Sequence, residues 1–271
     1  MTDSFQKRLT RLSATQLNMY LRCPQQWYLR YVKGIKIPPA GNMMQGRIYH
    51  LATADNFKQK IETGKDLEFD VLEDMFSEHW KKAIDDTDVN WEGEKPATLK
   101  DEGRLLLKCY HTEVAPRVHP KSVEEQKVKN VIPGILDAVG ITDVIDNNNK
   151  ILDHKLSARE KSQSDADRDL QATMYLWLRP ECKTFIFHQV IKKRPTKNML
   201  VRDPESPSIL PYKNLVSTKR TAQQVDRFVL MIADTYKLMQ TGVFPPRCDS
   251  FWCSEKWCGY WNICKARFST H

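Results

Sequence analysis

No stretch of this 271-residue chain approaches the roughly 20 consecutive apolar residues that a bilayer span requires, which excludes a transmembrane helix. The opening residues MTDSFQKRLT lack an apolar h-region, so the expectation is a chain without a secretory signal and with a cytoplasmic location. Internal repeats and low-complexity segments are also missing, which speaks against a solenoid or a disordered linker. Acid is nearly absent from the first forty residues, where Asp3 stands alone against Lys7, Arg8, Arg11, Arg22, Arg30, Lys33 and Lys36. The cysteine total, seven, is odd, and thiols in a reducing compartment do not build a disulfide framework.

What is present suffices for a core. Hydrophobic residues make up 41% of the chain, charged residues 28%, and the mean hydropathy is −0.57. A net charge of +8 and a pI near 9.0 point to a polyanionic partner without saying which one. The basic opening segment reads as a phosphate-facing surface.

Leu17, Tyr20, Leu21, Trp27, Tyr28 and Tyr31 recur at helical spacing over residues 14–32. Ser13 is the expected N-cap, and Pro24 should divide this stretch into two helices. Residues 33–44 read as a loop. Further helices are expected near 45–61, 67–84 and 98–116, with the acidic segment 85–96 as a loop. From about residue 123 the pattern changes to β-branched, alternating runs: KVKNVI, GILDAVGITDVI and NKILDHKLS. Pro133-Gly134 and Asp146-Asn147-Asn148-Asn149 separate them, which predicts three consecutive antiparallel strands. A helix near 166–178, strands near 184–193 and 198–202, and a helix near 221–240 follow. Strands with helices on their faces give an α/β or α+β core.

Chemistry concentrates in two places. Asp153 and Lys155 are i and i+2 on a predicted strand and so leave the same face, while Leu152, His154 and Leu156 leave the other. Asp137, in Gly134-Ile135-Leu136-Asp137, lies on the preceding strand. Two carboxylates with a nearby lysine suit Mg²⁺ or Mn²⁺, which can acidify water and neutralise charge on a phosphate. Gln171 and Tyr175 lie four apart on the next helix and share a face. His50, on an early helix, can add a neutral imidazole ligand. The second place is the tail, where Cys248, Cys253, Cys258 and Cys264 fall within seventeen residues. Soft thiolates in that density suit an iron–sulfur cluster or zinc, although the spacing is not that of a zinc ribbon.

In order, these segments resemble the RecB-type branch of the PD-(D/E)XK nucleases, which includes the exonucleases of CRISPR adaptation and of AddAB-type recombination enzymes. Leu12 to Leu17 with Cys23-Pro24 resembles the opening helix of that branch. Gly46-x-x-x-His50 resembles its first active-site motif. Gly134 to Asp137 and Asp153-His154-Lys155 resemble the motifs that name the superfamily, and Gln171-x-x-x-Tyr175 the motif typical of the branch. The resemblance covers most of the chain and leaves residues 62–120 unassigned.

It implies an α/β PD-(D/E)XK core, a mixed sheet of about five strands flanked by helices, within one domain over residues 1–271. Residues 1–120 would be mainly helical, 121–205 would hold the catalytic sheet and helix, and 206–271 a long helix and a cysteine-rich tail that packs back on the opening helix. His50, Asp137, Asp153 and the carbonyl of His154 would bind the ion. Lys155 would be the catalytic lysine, with Gln171 and Tyr175 positioning it or the DNA. Relatives that carry a [4Fe-4S] cluster use one cysteine before the core and three after it. Cys23, Cys253, Cys258 and Cys264 match that set, with Cys248 as a rival to Cys253 because the spacing departs from the usual one. Zinc is the alternative occupant.

The implied activity is metal-dependent hydrolysis of DNA, exonucleolytic and directed at single strands or ends, in recombination, repair or replication, including a phage setting. Two alternatives stand beside it. One is a module that binds DNA ends without cutting. The other is a CRISPR spacer-processing subunit acting with an integrase. Helicase, recombinase or integrase partners and an oligomer are compatible with the resemblance. The tail aromatics have two readings, hydrophobic packing or stacking on unpaired bases.

Overall fold

The computed structural model describes residues 9–91, 93–194 and 208–268. The strand expected near 198–202 lies outside the described residues. The strands are β1 (Arg11–Ser13), β2 (Pro120–Ile132), β3 (Leu136–Asp146), β4 (Lys150–Ser157), β5 (Thr184–Ile191) and β6 (Tyr212–Thr218). They form one mixed sheet of six strands, one more than the expected count of about five. The order is β1-β3-β4-β5-β6, with β2 paired to β3. β1 runs parallel to the start of β3, β4 antiparallel to its end, β5 parallel to β4, and β6 antiparallel to β5.

The helices are α1 (Ala14–Arg22), α2 (Pro24–Trp27) with a π-helical continuation Tyr28–Val32, α3 (Gly41–Thr63), α4 (Phe69–Asp86), α5 (Pro96–Glu113), α6 (Gln163–Asp167), α7 (Leu170–Leu178), α8 (Ala222–Gln240) and α9 (Trp261–Phe268). The single helix expected over 166–178 is two. Ser162 caps α6 and Asp169 caps α7, the latter accepting the Ala172 N–H at 3.0 Å.

The contacts separate the chain into two compact units. One comprises residues 1–37, 127–140 and 221–271, the other residues 38–126 and 141–220.

In the second unit α3 is the central helix, packed on α4 and α5. It buries Met44, Ile48, Tyr49, Ala52 and Phe57, against Phe76, Trp80, Leu106 and Tyr110. Each buried Met, Ile, Leu or Phe among them stabilises the fold by roughly 1.5–3 kcal/mol. α3 ends at Gly64, whose φ of +77° a glycine adopts without strain. α4 and α5 approach so closely that a Cβ on Gly103 would lie 2.5 Å from Phe76 Cζ. Beside the apolar contacts runs a satisfied polar network. Asn56 donates to Tyr110 Oη and to Asp66 Oδ1, each at 2.9 Å, and accepts the Leu67 N–H at 2.8 Å. Lys60 donates to Asp66 Oδ2 and to the Ala115 carbonyl. β4 has a covered strand on each side, and Ile151, Leu152, Asp153 and His154 are all buried.

In the first unit Ser13 caps α1, as the sequence predicts. Leu17, Tyr20, Trp27 and Leu29 are buried, and Phe244 stacks on Tyr28 with centroids 4.9 Å apart. α8 opens on a capping box formed by Thr221 and Gln224. Hydrogen bonds tie the tail to the opening segment. Arg247 Nη1 donates to the Leu21 carbonyl and Tyr260 Oη to the Ile35 carbonyl, each at 2.9 Å.

Candidate active site

The site grows from the hairpin of β3 and β4. Val144 pairs with Leu152 and Ile145 with Ile151. One further step of that register sets Asp143 opposite Asp153, with both side chains on one face. Asp143 Oδ2 accepts the backbone N–H of His154 at 2.9 Å. Lys155, two residues beyond Asp153 and on the same face, brings its Nζ to 3.1 Å from Asp153 Oδ1. The Gln171 amide, from α7, donates to that same oxygen at 3.0 Å and is hydrogen-bonded to Tyr175 one turn later. From α3, His50 places Nδ1 3.5 Å from Asp143 Oδ2. Asp153 Oδ2 is buried without a hydrogen-bond partner among the described residues.

These groups set one another's charge. Burial pushes the Asp153 carboxyl up to about 6; the Lys155 ammonium offsets part of that rise and Asp143 adds to it. Burial also raises Asp143, against the pull of Lys155 and of the His154 N–H. Burial works against the charge on Lys155, but Asp153 and Asp143 outweigh it and hold the ammonium above the ordinary lysine range. Burial and then Lys155 lower His50 to about 4, so its half-buried ring is neutral near pH 7 and can act as a ligand.

His50, Asp153, Lys155, Gln171 and Tyr175 are thus brought into one neighbourhood. Asp137 is not part of it. Its carboxylate accepts from Asn130, its N–H donates to the Thr10 carbonyl at 2.9 Å, and it pairs with Arg11 of β1. The carboxylate opposite Asp153 is Asp143, six residues further along β3. The signal was available, because Gly140-Ile141-Thr142-Asp143 repeats the Gly-x-x-Asp pattern of residues 134–137. A hairpin centred on Asn148 makes residues 143 and 153 equidistant from its turn.

His154 touches the site only through its backbone. Its ring points into the core, with ring centroids 5.3 Å from Phe57 and 5.3 Å from His188, and both ring nitrogens are buried without a partner among the described residues. Glu124, which no sequence pattern marked, also bears on the site. It holds φ +50° within β2, a left-handed conformation costly for a residue with a Cβ. It pairs with Lys58 at 2.6 Å, and its charge reaches both His50 and Asp143.

In the first unit Cys23, Cys253, Cys258 and Cys264 line one cavity, with Trp252 and Tyr260 on its wall. Cys248 is exposed and hydrogen-bonded to Cys253. Burial, with Cys248 next, raises the Cys253 thiol to about 11; Cys23 and Cys258 add to the rise. The Gln26 amide lies 3.8 Å from Cys258 Sγ. Among the described residues, no group of three or more His, Cys, Asp or Glu is closed around a point in a form that would hold a metal ion as it stands. Beside Asp153, the Lys155 ammonium and the Gln171 amide supply the compensating positive charge and hydrogen bonds.

The fold is similar to that of a candidate exonuclease from Eubacterium rectale, at a TM-score of 0.54 and 8% identity, over 94% of this chain and 89% of that one. A phage-related exonuclease from Haemophilus somnus aligns at a TM-score of 0.33 and 14% identity, over 70% of this chain and 94% of that one. In sequence, the Gene 69 protein of Mycobacterium phage L5 is 30% identical over 72 residues. That match covers 27% of this chain and 24% of the phage protein. No helix of the described residues is long and apolar enough to cross a membrane. A family model matches residues 11–265, nearly the whole chain, and with it this chain belongs to the PD-(D/E)XK nuclease superfamily.

Proposed function

We propose that this chain is a divalent-metal-dependent deoxyribonuclease of the RecB-type branch, acting as an exonuclease on single strands or ends. The observation that carries the reading is the pair Asp143 and Asp153 beside the Lys155 ammonium, with Asp153 Oδ2 buried and unpartnered. A buried carboxylate oxygen without a donor is a poor arrangement unless something positive reaches it. Carboxylate oxygens with a neutral imidazole fit a hard ion such as Mg²⁺ or Mn²⁺.

His50, Asp143, Asp153 and the His154 carbonyl are the groups that would hold it. Such an ion would polarise the scissile phosphate and lower the pKa of water. The protein's own contribution is to place charge. Lys155, fully protonated near pH 7, would hold a donor toward the phosphate oxygens on which charge develops. Gln171 fixes the Asp153 carboxylate, and Tyr175 fixes Gln171. The exonuclease form of the reading draws on the name of the Eubacterium rectale protein, and a phage setting on that of the phage L5 relative.

A [4Fe-4S] cluster held by Cys23, Cys253, Cys258 and Cys264 belongs to the same proposal, with zinc as the alternative occupant. What supports it is the shared cavity of those four thiols and the position of Cys248 outside it. Thiolates suit either occupant. A cluster there would tie residue 23 to residue 264 and serve a structural role.

The test is a gel assay on an end-labelled single strand with Mg²⁺ or Mn²⁺ titrated into the purified protein. The reading predicts metal-dependent shortening of the strand. Binding without any cutting across the titration would favour a module that only holds DNA.

A further inference from the structure

We propose that the cysteine-rich tail carries a platform for unpaired bases, built from Phe251, Trp252 and Trp257 with Arg22 and Lys256. The inference rests on the DNA reading above and concerns the unit that lacks the candidate active site.

Three large rings within seven residues face solvent: Phe251 is 67% exposed, Trp257 52% and Trp252 39%. Scattered exposed apolar residues are ordinary, but these three are contiguous. Phe251 and Trp252 lie 4.6 Å apart at 33° between planes, and Trp252 and Trp257 lie 5.8 Å apart at 73°. Cations sit on their faces, with Arg22 Cζ 5.2 Å from the Trp252 centroid and Lys256 Nζ 5.1 Å from that of Trp257. In the same unit, Lys33 lies over Tyr28 and Arg30 over Tyr31. Packing, the other reading of these rings, accounts for Tyr260, which is buried, but not for Phe251 or Trp257.

Charge identifies the occupant. The first unit holds fifteen Lys and Arg against six Asp and Glu, an excess of nine. The second holds twenty-seven against twenty-eight, a deficit of one, so the first unit accounts for the whole +8. Asp249 and Glu255 beside the rings are balanced by Arg247 and Lys256, and six of the nine excess charges come from the opening segment, residues 1–37. A protein partner would use the rings but leave that excess unexplained, and a duplex would satisfy the charge but hide its base faces. A single strand offers both phosphates and exposed π-faces.

The experiment measures binding of fluorescent oligo-dT, and of a blunt duplex of equal length, to the full-length chain without divalent ions, across a salt series. The variants are Phe251→Ala, Trp252→Ala, Trp257→Ala and the conservative Trp252→Phe, each checked for its melting temperature. The platform predicts that each Ala variant weakens oligo-dT binding by roughly fivefold or more. It also predicts an unchanged salt slope, because no phosphate contact is lost. Duplex binding should be unaffected, and Trp252→Phe should keep most of the affinity. Ala variants that melt like the wild type and bind oligo-dT equally well would overturn it, as would an equal loss on the duplex. If those variants bind normally while the wild type still cuts with Mg²⁺, only the platform fails. A wild type that neither binds nor cuts would overturn the nuclease reading as well.

Discussion

The Asp143 carboxylate accepts the backbone N–H of His154 at 2.9 Å, so beyond the Val144–Leu152 pair β3 and β4 are joined by a side chain. That bond fixes one acid of the site against the strand that carries the other. It also orients the backbone of His154, whose ring is committed to the core. The site therefore inherits the rigidity of a central strand rather than that of a loop.

The buried carboxyl of Asp153 gives the protein a pH signature. Its folded pKa, about 6, stands above the ordinary 3.8. A raised pKa means that the folded state prefers the protonated form, so this group's contribution is complete below about pH 4 and is lost as pH rises through about 6. Without divalent ions, Asp153→Asn should raise the melting temperature at about pH 7 and leave it nearly unchanged at about pH 4, as read by differential scanning calorimetry. The opposite order of the two shifts would show that the carboxylate is stabilised by its neighbours.

Removing Lys155 should separate binding from chemistry. Lys155→Ala is expected to slow single-turnover cleavage by roughly 10²–10³-fold, the usual loss for a preorganised donor. Calorimetric Mn²⁺ affinity should hold or rise, because a competing positive charge leaves Asp153. A variant that cuts at the native rate would remove Lys155 from the reaction.

Two helical glycines should respond oppositely. A Cβ on Gly46 meets nothing within 4 Å, so Gly46→Ala should stabilise the fold by about 0.5–1 kcal/mol. Gly103→Ala drives a methyl onto the Phe76 ring and should destabilise by about 1–3 kcal/mol. Urea denaturation of the two variants tests both signs.

For the tail, iron per chain in anaerobically purified protein is the readout. Cys253→Ser should lose iron and visible absorbance, while Cys248→Ser should keep both. The reverse result would exchange the two residues, and an iron-free, colourless wild type would remove the cluster.

Much of this fold is legible in the sequence. The helices α4, α5 and α8 follow from their apolar spacing, and the β3–β4 hairpin from its Asn-rich turn. What escaped has physical causes. β1 is three residues long and too short to show alternation. β6 is the last strand of the sheet order and presents no continuous buried face, so its Lys213, Asn214 and Ser217 dilute the strand pattern. The α6–α7 break rests on Asp169, which caps α7 instead of continuing α6. The substitution of Asp143 for Asp137 is the most instructive difference. Both close a Gly-x-x-Asp run and both lie on β3, and only the register of the hairpin distinguishes them.

That distinction also gives the sharpest trial of the whole account, a comparison of Asp143→Ala with Asp137→Ala in cleavage of an end-labelled single strand with Mg²⁺. The expected outcome is a loss of roughly a hundredfold or more for Asp143→Ala and a native rate for Asp137→Ala. Cleavage that survives the first substitution and fails with the second would contradict it.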